Sequence, residues 1–160
     1  CMKEFIPVFN TRYKNISEGK ESISLEYESQ LQEQTHKELL ETSLPKDKVL
    51  QYTTQGTHKD DINFLLEGQP IKKFGSQGQQ KTFLVALKFA QFEFLKTQIG
   101  GAPILLLDDA FDKLDQKRVT QIVSLVEKND FGQIFITDTH EERTLEALGK
   151  SQSNYQIFKL

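Results

Sequence analysis

The 160-residue sequence predicts an α/β fold: a parallel sheet flanked by helices, preceded by a smaller α+β and helical segment. Three observations carry that expectation. From about residue 103 the chain alternates strand-like and helix-like stretches, the rhythm of a parallel α/β layer. The first of those strands, Ile-Leu-Leu-Leu over 104–107, has no polar alternation, which fits a strand covered on both faces. Before it, a stretch reaching to about Gln98 is apolar on most sides, as a helix inside a core must be.

In chain order, Cys-Met-Lys-Glu runs at once into the apolar stretch 5–9, and this start reads as text cut from a longer sequence. Residues 21–28 alternate Ile23, Leu25 and Tyr27 with polar neighbours, which predicts a half-buried strand. Residues 29–43 suit an exposed helix with sparse Leu31, Leu39 and Leu40, ended by Pro45. Residues 1–50 are expected to be the remainder of a helical and strand lobe, and residues 51–160 the main α/β unit. Ile62, Phe64 and Leu66 alternate again, 67–70 turns, and 71–74 is expected to return as the second hairpin strand. On the long helix, Phe83, Leu87, Ala90 and Phe94 line one face and Val85, Phe89 and Phe92 another. Lys81, Lys88 and Gln91 mark its narrow polar stripe. Val119, Ile122, Val123 and Val126 follow amphipathic helix spacing. A strand over 134–136, a short helix over 141–148 and a last strand over 155–158 complete the expected series.

With 37% hydrophobic and 27% charged residues, the composition is that of a folded chain rather than a disordered one. The net charge of −3 supplies no overall basic field for nucleic acid, although a local patch is compatible with it. The one cysteine, Cys1, excludes an internal disulfide and a cysteine-rich metal site. With no membrane-length apolar run, a cytoplasmic protein without membrane partners is expected.

Chemistry concentrates in three places. The 104–107 strand ends in Asp108-Asp109, putting two carboxylates at the carboxyl edge of a parallel sheet, where such folds bind ligands. Asp108 is suited to hold Mg²⁺ directly or through water, and Asp109 to orient or deprotonate an attacking water. Strand ends are often acidic for solubility alone, so the surroundings decide. Asp115 follows six residues later, and the neighbouring strand ends Thr137-Asp138-Thr139-His140. There a histidine could contact a terminal phosphate or polarise the attacking water. Third, Ser76-Gln77-Gly78-Gln79 opens the long helix, whose unpaired N–H groups and dipole favour an anion, although a Ser-capped helix alone explains the same residues. Neither near-match to a phosphate loop holds. Residues 75–82 place Gln80 where glycine must precede Lys81, and 144–151 lack the first glycine. The chain has acids for Mg²⁺ and nothing to wrap the β- and γ-phosphates.

Taken jointly and in this order, the pieces resemble the C-terminal half of an ABC-type ATPase head. Ser76-Gln77-Gly78-Gln79 is similar to the signature motif, with Gln77 where glycine is common. Leu105 to Asp109 resembles Walker B, Asp112 to Asp115 the D-loop, and His140 the switch histidine. The spellings Ser-Gln-Gly-Gln-Gln-Lys-Thr, Pro-Ile-Leu-Leu-Leu-Asp-Asp and Leu114-Asp-x-x-Arg118 resemble the RecF family of DNA replication and repair proteins. So does 56–61, with Thr57 and Lys59 departing from the family's pattern. The resemblance is densest over 52–140. It implies ATP and Mg²⁺ as cofactors, shared with an amino-terminal half that carries the phosphate loop. Asp109 and His140 are then the catalytic pair, Asp108 the metal ligand, and Ser76, Gln77, Gly78, Gln79 and Asp115 nucleotide contacts. It further implies an ATP-dependent head-to-tail homodimer, DNA at single-strand gaps or junctions, and RecO- and RecR-like partners. Asp109 stands where most ABC ATPases carry glutamate, and Asp112 where the D-loop often has serine. The alternatives are another ABC-type head, SMC-like or a transporter subunit, and a non-catalytic binding module with a vestigial acid pair.

Overall fold

The computed structural model describes residues 2–128, 131–149 and 154–159. It opens with α1, Met2–Ser17, whose Phe9, Tyr13 and Ile16 are buried along one stripe. Glu18 and Gly19, both in the left-handed region at φ 57° and 71°, turn the chain out of it. The Gly19 N–H closes on the Lys14 carbonyl at 2.9 Å. The strand β1, Ile23–Glu28, then pairs antiparallel with β2, Asp61–Leu66, and β2 with the two-residue β3, Gln69–Pro70. Between β1 and β2 lies α2, His36–Leu50, started by a capping box in which Thr35 and Glu38 exchange bonds.

A short turn of helix, α3 (Ile71–Phe74), leads into α4, Gln77–Ile99. The strand β4, Leu105–Leu107, pairs in parallel with β5, Ile134–Ile136, and α5 (Gln116–Lys128) is the crossover between them. The short α6, Glu141–Leu148, follows β5.

Helix α4 is central to the core. Its Phe83 ring meets Phe9 of α1 at 4.7 Å and Phe64 of β2 at 5.2 Å between centroids. Farther along, Phe89 and Phe92 close on Phe131 at 5.0 and 4.5 Å. Val119 and Ile122 of α5 are fully buried, as is Phe111 in the preceding loop. Only one stripe of α4 faces out, and it carries Leu84 and Leu95 beside Lys88 and Gln91.

Several sequence expectations change. Helix α1 adds an element beyond the expected series, on Phe5, Phe9, Tyr13 and Ile16 at helical spacing. Pro45 lies inside α2 rather than ending it, and the helix runs five residues further, to Leu50. Residues 71–74 form a helical turn instead of a returning strand, so the hairpin stops at Pro70. Residues 154–159 form no strand. Finally, β4 is covered on one face only. Leu105 and Leu107 are buried, whereas Ile104 and Leu106 are 61% and 65% exposed, beside Phe135, the register partner of Leu106, at 49%. An unbroken apolar run gives no clue to which side is covered, because both sides carry the same residue types.

That asymmetry has a measurable counterpart. Phe9→Ala should cost about 3–5 kcal/mol by urea unfolding, since it empties a packed aromatic site. Leu106→Ala in the same chain should stay within roughly 1 kcal/mol.

Candidate functional site

The acids sit where the parallel pair ends. Leaving β4, the chain passes Asp108 and enters a left-handed residue, Asp109, at φ 49°. Aspartate tolerates that conformation better than a branched residue, yet it costs free energy that the surroundings must offset. Thr137, at the end of β5, supplies the compensation. Its N–H donates to the Leu107 carbonyl at 3.0 Å, and its carbonyl accepts from Ala110 N–H at 3.1 Å. The hydroxyl donates to Asp108 Oδ1 at 2.6 Å and accepts the Asp109 N–H at 2.8 Å. One side chain therefore orients one carboxylate and fixes the backbone of the next. Asp109 Oδ1 is buried and finds no hydrogen-bond partner among the described residues, an unsatisfied acceptor at the end of the sheet.

Beyond Asp109 the chain makes two tight turns, Asp112 N–H to the Asp109 carbonyl and Leu114 N–H to the Phe111 carbonyl, both 3.2 Å. Lys113 is left-handed at φ 61°. Asp115 Oδ1 then accepts Arg118 N–H at 2.8 Å, capping the first turn of α5.

Ser76 is the N-cap of α4. Its Oγ accepts the Gln79 N–H at 3.2 Å, and Gln79 Oε1 accepts the Ser76 N–H at 2.8 Å. Ser76 and Gln77 are exposed. Gly78 packs against the next loop: a Cβ there would lie 2.9 Å from the Lys113 carbonyl oxygen. A side chain at 78 would push the α4 start and the 109–115 loop apart, so glycine is needed for close approach.

Below this contact runs a polar network. Arg118 donates through Nη1 to Thr82 Oγ1 at 2.6 Å and to the Gly78 carbonyl at 3.3 Å, and through Nη2 to Glu21 Oε1 at 2.7 Å. Gln79 Nε2 also donates to Glu21 Oε1, at 3.0 Å, and the Tyr13 hydroxyl to Glu21 Oε2 at 2.5 Å. Burial alone would raise the Glu21 carboxyl. The bonds from Tyr13, Gln79 and Arg118, with the Arg118 charge, outweigh it and hold the carboxyl below its usual value. The Tyr13 hydroxyl is pushed upward, first by burial and then by Glu21.

The structure thus sets the first turn of α4, at Gly78, against the loop that carries Asp115, and joins Asp108 and Asp109 through Thr137. His140 stands exposed at the N-cap of α6 and makes no side-chain capping bond. Glu21, Arg118 and Thr137 join the site only through the fold. Glu21 lies far from any motif, and a threonine at a strand end carries no signal of its own. Residues 56–61 form a braced loop: Gly56 N–H donates to Gln30 Oε1 at 3.3 Å, His58 Nε2 pairs with the Thr53 carbonyl at 3.0 Å, and Tyr27 donates to Asp60. Among the described residues, no cluster of three or more His, Cys, Asp or Glu is placed to hold a metal by itself. A site of one or two carboxylates completed by phosphates and water is how Mg²⁺ is commonly held beside nucleotides, and Asp108 with Asp109 fits that pattern.

This architecture is that of an ABC-type ATPase head, in its C-terminal part. The structure of the SmcHead bound to the C-winged helix domain of ScpA shares the fold at TM-score 0.57 and 17% identity, over 89% of this chain and 36% of that one. Two structures of the recombination mediator protein RecF in the RecFOR pathway are also similar. The RecF-ATPrS structure has TM-score 0.65 and 25% identity, over 88% of this chain and 40% of that one. The RecF-ATP structure has TM-score 0.67 and 24% identity, over 88% and 39%. No protein-family model matches the chain.

Among curated proteins, the DNA replication and repair protein RecF of Flavobacterium johnsoniae is 54% identical over 159 residues, 99% of this chain and 44% of the relative. Those of Bacteroides thetaiotaomicron and Porphyromonas gingivalis are 50% and 46% identical, over 99% of this chain and 43% and 44% of theirs. Over 99% of its length the chain is similar to these RecF proteins, and it spans less than half of their length, matching their C-terminal part.

Because the folded-state value of Glu21 lies below the usual 4.5 or so, its stabilisation is fully present above that pH. It is lost as pH falls through the folded-state value. Acid unfolding followed by circular dichroism should show this limb below about pH 4.5, and Glu21→Gln should flatten it.

Proposed function

We propose that this chain supplies the C-terminal half of an ATP-dependent DNA-binding protein of DNA replication and recombinational repair. The observation that carries the reading is a signature-type helix start and a Walker B-type acid pair joined by one short loop, on a chain without a phosphate loop. The names of its relatives point the same way. The phosphate loop belongs to the amino-terminal half, and the whole protein is a slow, cytoplasmic ATPase.

In this reading Asp108 holds Mg²⁺, which supplies charge neutralisation at the phosphates. Asp109 orients the attacking water with its carboxylate and accepts its proton. Thr137 keeps both acids in register, and His140 reaches the terminal phosphate from the end of the adjacent strand. The start of α4 serves the opposite nucleotide, across a head-to-tail homodimer. Ser76 Oγ already accepts from Gln79, which leaves its O–H to donate outward. The Gln77 and Gly78 N–H groups lack intrahelical acceptors in the first turn, and with the helix dipole they favour a phosphate. Gln79 steadies the turn, and Asp115 sets the adjoining loop. ATP thereby acts as glue between two copies, and hydrolysis releases it. The closed dimer clamps DNA at single-strand gaps or junctions and works with RecO- and RecR-like partners.

Two substitutions in the full-length protein test this. Asp109→Asn should lower ATP hydrolysis on the order of 10²–10⁴-fold while nucleotide binding survives; unchanged turnover would favour a non-catalytic module. Ser76→Arg fills the phosphate position and should abolish ATP-dependent dimerisation in sedimentation velocity. Dimers persisting in that variant would refute a composite site.

A further inference from the structure

We propose that Arg118 is a positioning residue that locks the signature turn of α4 to the loop bearing Asp115, so that the two enter the dimer interface as one rigid piece. The inference rests on the composite-site reading above and adds to it the residue that ties the site's two surfaces together.

Three segments converge on one guanidinium. Nη1 holds the signature helix at Thr82 Oγ1 and the Gly78 carbonyl, and Nη2 holds Glu21 in the link between α1 and β1. Nε lies 3.6 Å from Asp115 Oδ2. Thr82 Oγ1 in turn donates to the Gly78 carbonyl at 2.7 Å, so the arginine and the hydroxyl brace the same peptide group. The side chains of Arg118 and Glu21 are only 18% and 15% exposed, and Thr82 is fully buried. Charged hydrogen bonds at such a depth are stronger and more directional than surface pairs.

A second observation is independent of the arginine. Gly78 and the Lys113 carbonyl approach so closely that a Cβ would be excluded, so the turn and the loop are in contact at this point. The bonds of Arg118 prevent separation and the Gly78 contact prevents closer approach. Lysine cannot replace this arrangement, because an ammonium lacks the planar fork that reaches Thr82 and Glu21 at once. Glu21 adds a further link, since its Oε1 also takes the Gln79 amide. The residue that completes the α4 capping box is thereby tied to the same carboxylate as Arg118.

The test uses the full-length protein. For wild type, Arg118→Lys, Thr82→Val and Ser76→Arg, the measurements are fluorescent-ATP binding to the monomer, dimerisation with a slowly hydrolysed ATP analogue, and melting temperature. Arg118→Lys should leave monomer nucleotide binding within about twofold and weaken analogue-driven dimerisation by about tenfold or more. Thr82→Val, which removes only the bridging hydroxyl, should weaken dimerisation in the same direction by a smaller factor. If both variants dimerise like wild type while Ser76→Arg does not, the locking role is wrong and the composite site stands. If Ser76→Arg also dimerises normally, the composite site itself fails. A loss of nucleotide binding and dimerisation in parallel with melting temperature would mark Arg118 as purely structural and overturn the proposal. If Arg118→Lys does not fold, Thr82→Val alone decides.

Discussion

A helix with aromatic side chains on two faces can exist in water only if something covers both, and most of this fold arranges that cover for α4. Phe9 and Tyr13 of α1 and Phe64 of β2 shield its first half through Phe83. Phe131 shields the second half through Phe89 and Phe92. Burial of this kind is worth roughly 1.5–3 kcal/mol per large side chain and has no direction of its own. Polar contacts supply the direction. The Arg118, Glu21 and Tyr13 bonds fix rotation and register at the one end of α4 where residues of chemical interest lie, so hydrophobic burial sets that the helix is held and hydrogen bonds set where its first turn points.

The acid pair follows a different logic. Asp109 takes a backbone conformation that costs free energy, and Thr137 holds it there with a side-chain acceptor and two main-chain bonds across the parallel ladder. Local strain offset by a neighbouring strand is a common arrangement where a side chain must point away from the sheet. It also explains why the pair sits at a three-residue strand. A longer β4 would carry the regular pleat past residue 108 and send the two carboxylates to opposite faces.

Much of this was legible in the sequence, and the failures have identifiable causes. The strand–helix–strand order after residue 103, the N-cap at Ser76 and the acids at the end of β4 followed from period, capping chemistry and breakers, all of them local. Helix α1 is equally legible in the spacing of Phe5, Phe9, Tyr13 and Ile16, although the short apolar run at 5–9 carries no helical period by itself. Pro45 misled because proline ends helices only on average. Here α2 carries it within an exposed helix, where water can satisfy the carbonyl it leaves unpaired. The Glu21–Arg118 pairing spans ninety-seven positions and joins two ordinary charged residues. No periodicity marks such a pair; only the fold brings it together.

The half-covered parallel pair has a consequence for handling and for biosynthesis. Ile104, Leu106 and Phe135 form a greasy plane on a two-strand sheet. In the relatives, more than half of the polypeptide lies outside the matched region. A polypeptide restricted to these residues carries an adhesive surface and invites self-association or chaperone capture. Detergent, rather than higher salt, is then the remedy for its stickiness, because excluded salts strengthen apolar contact.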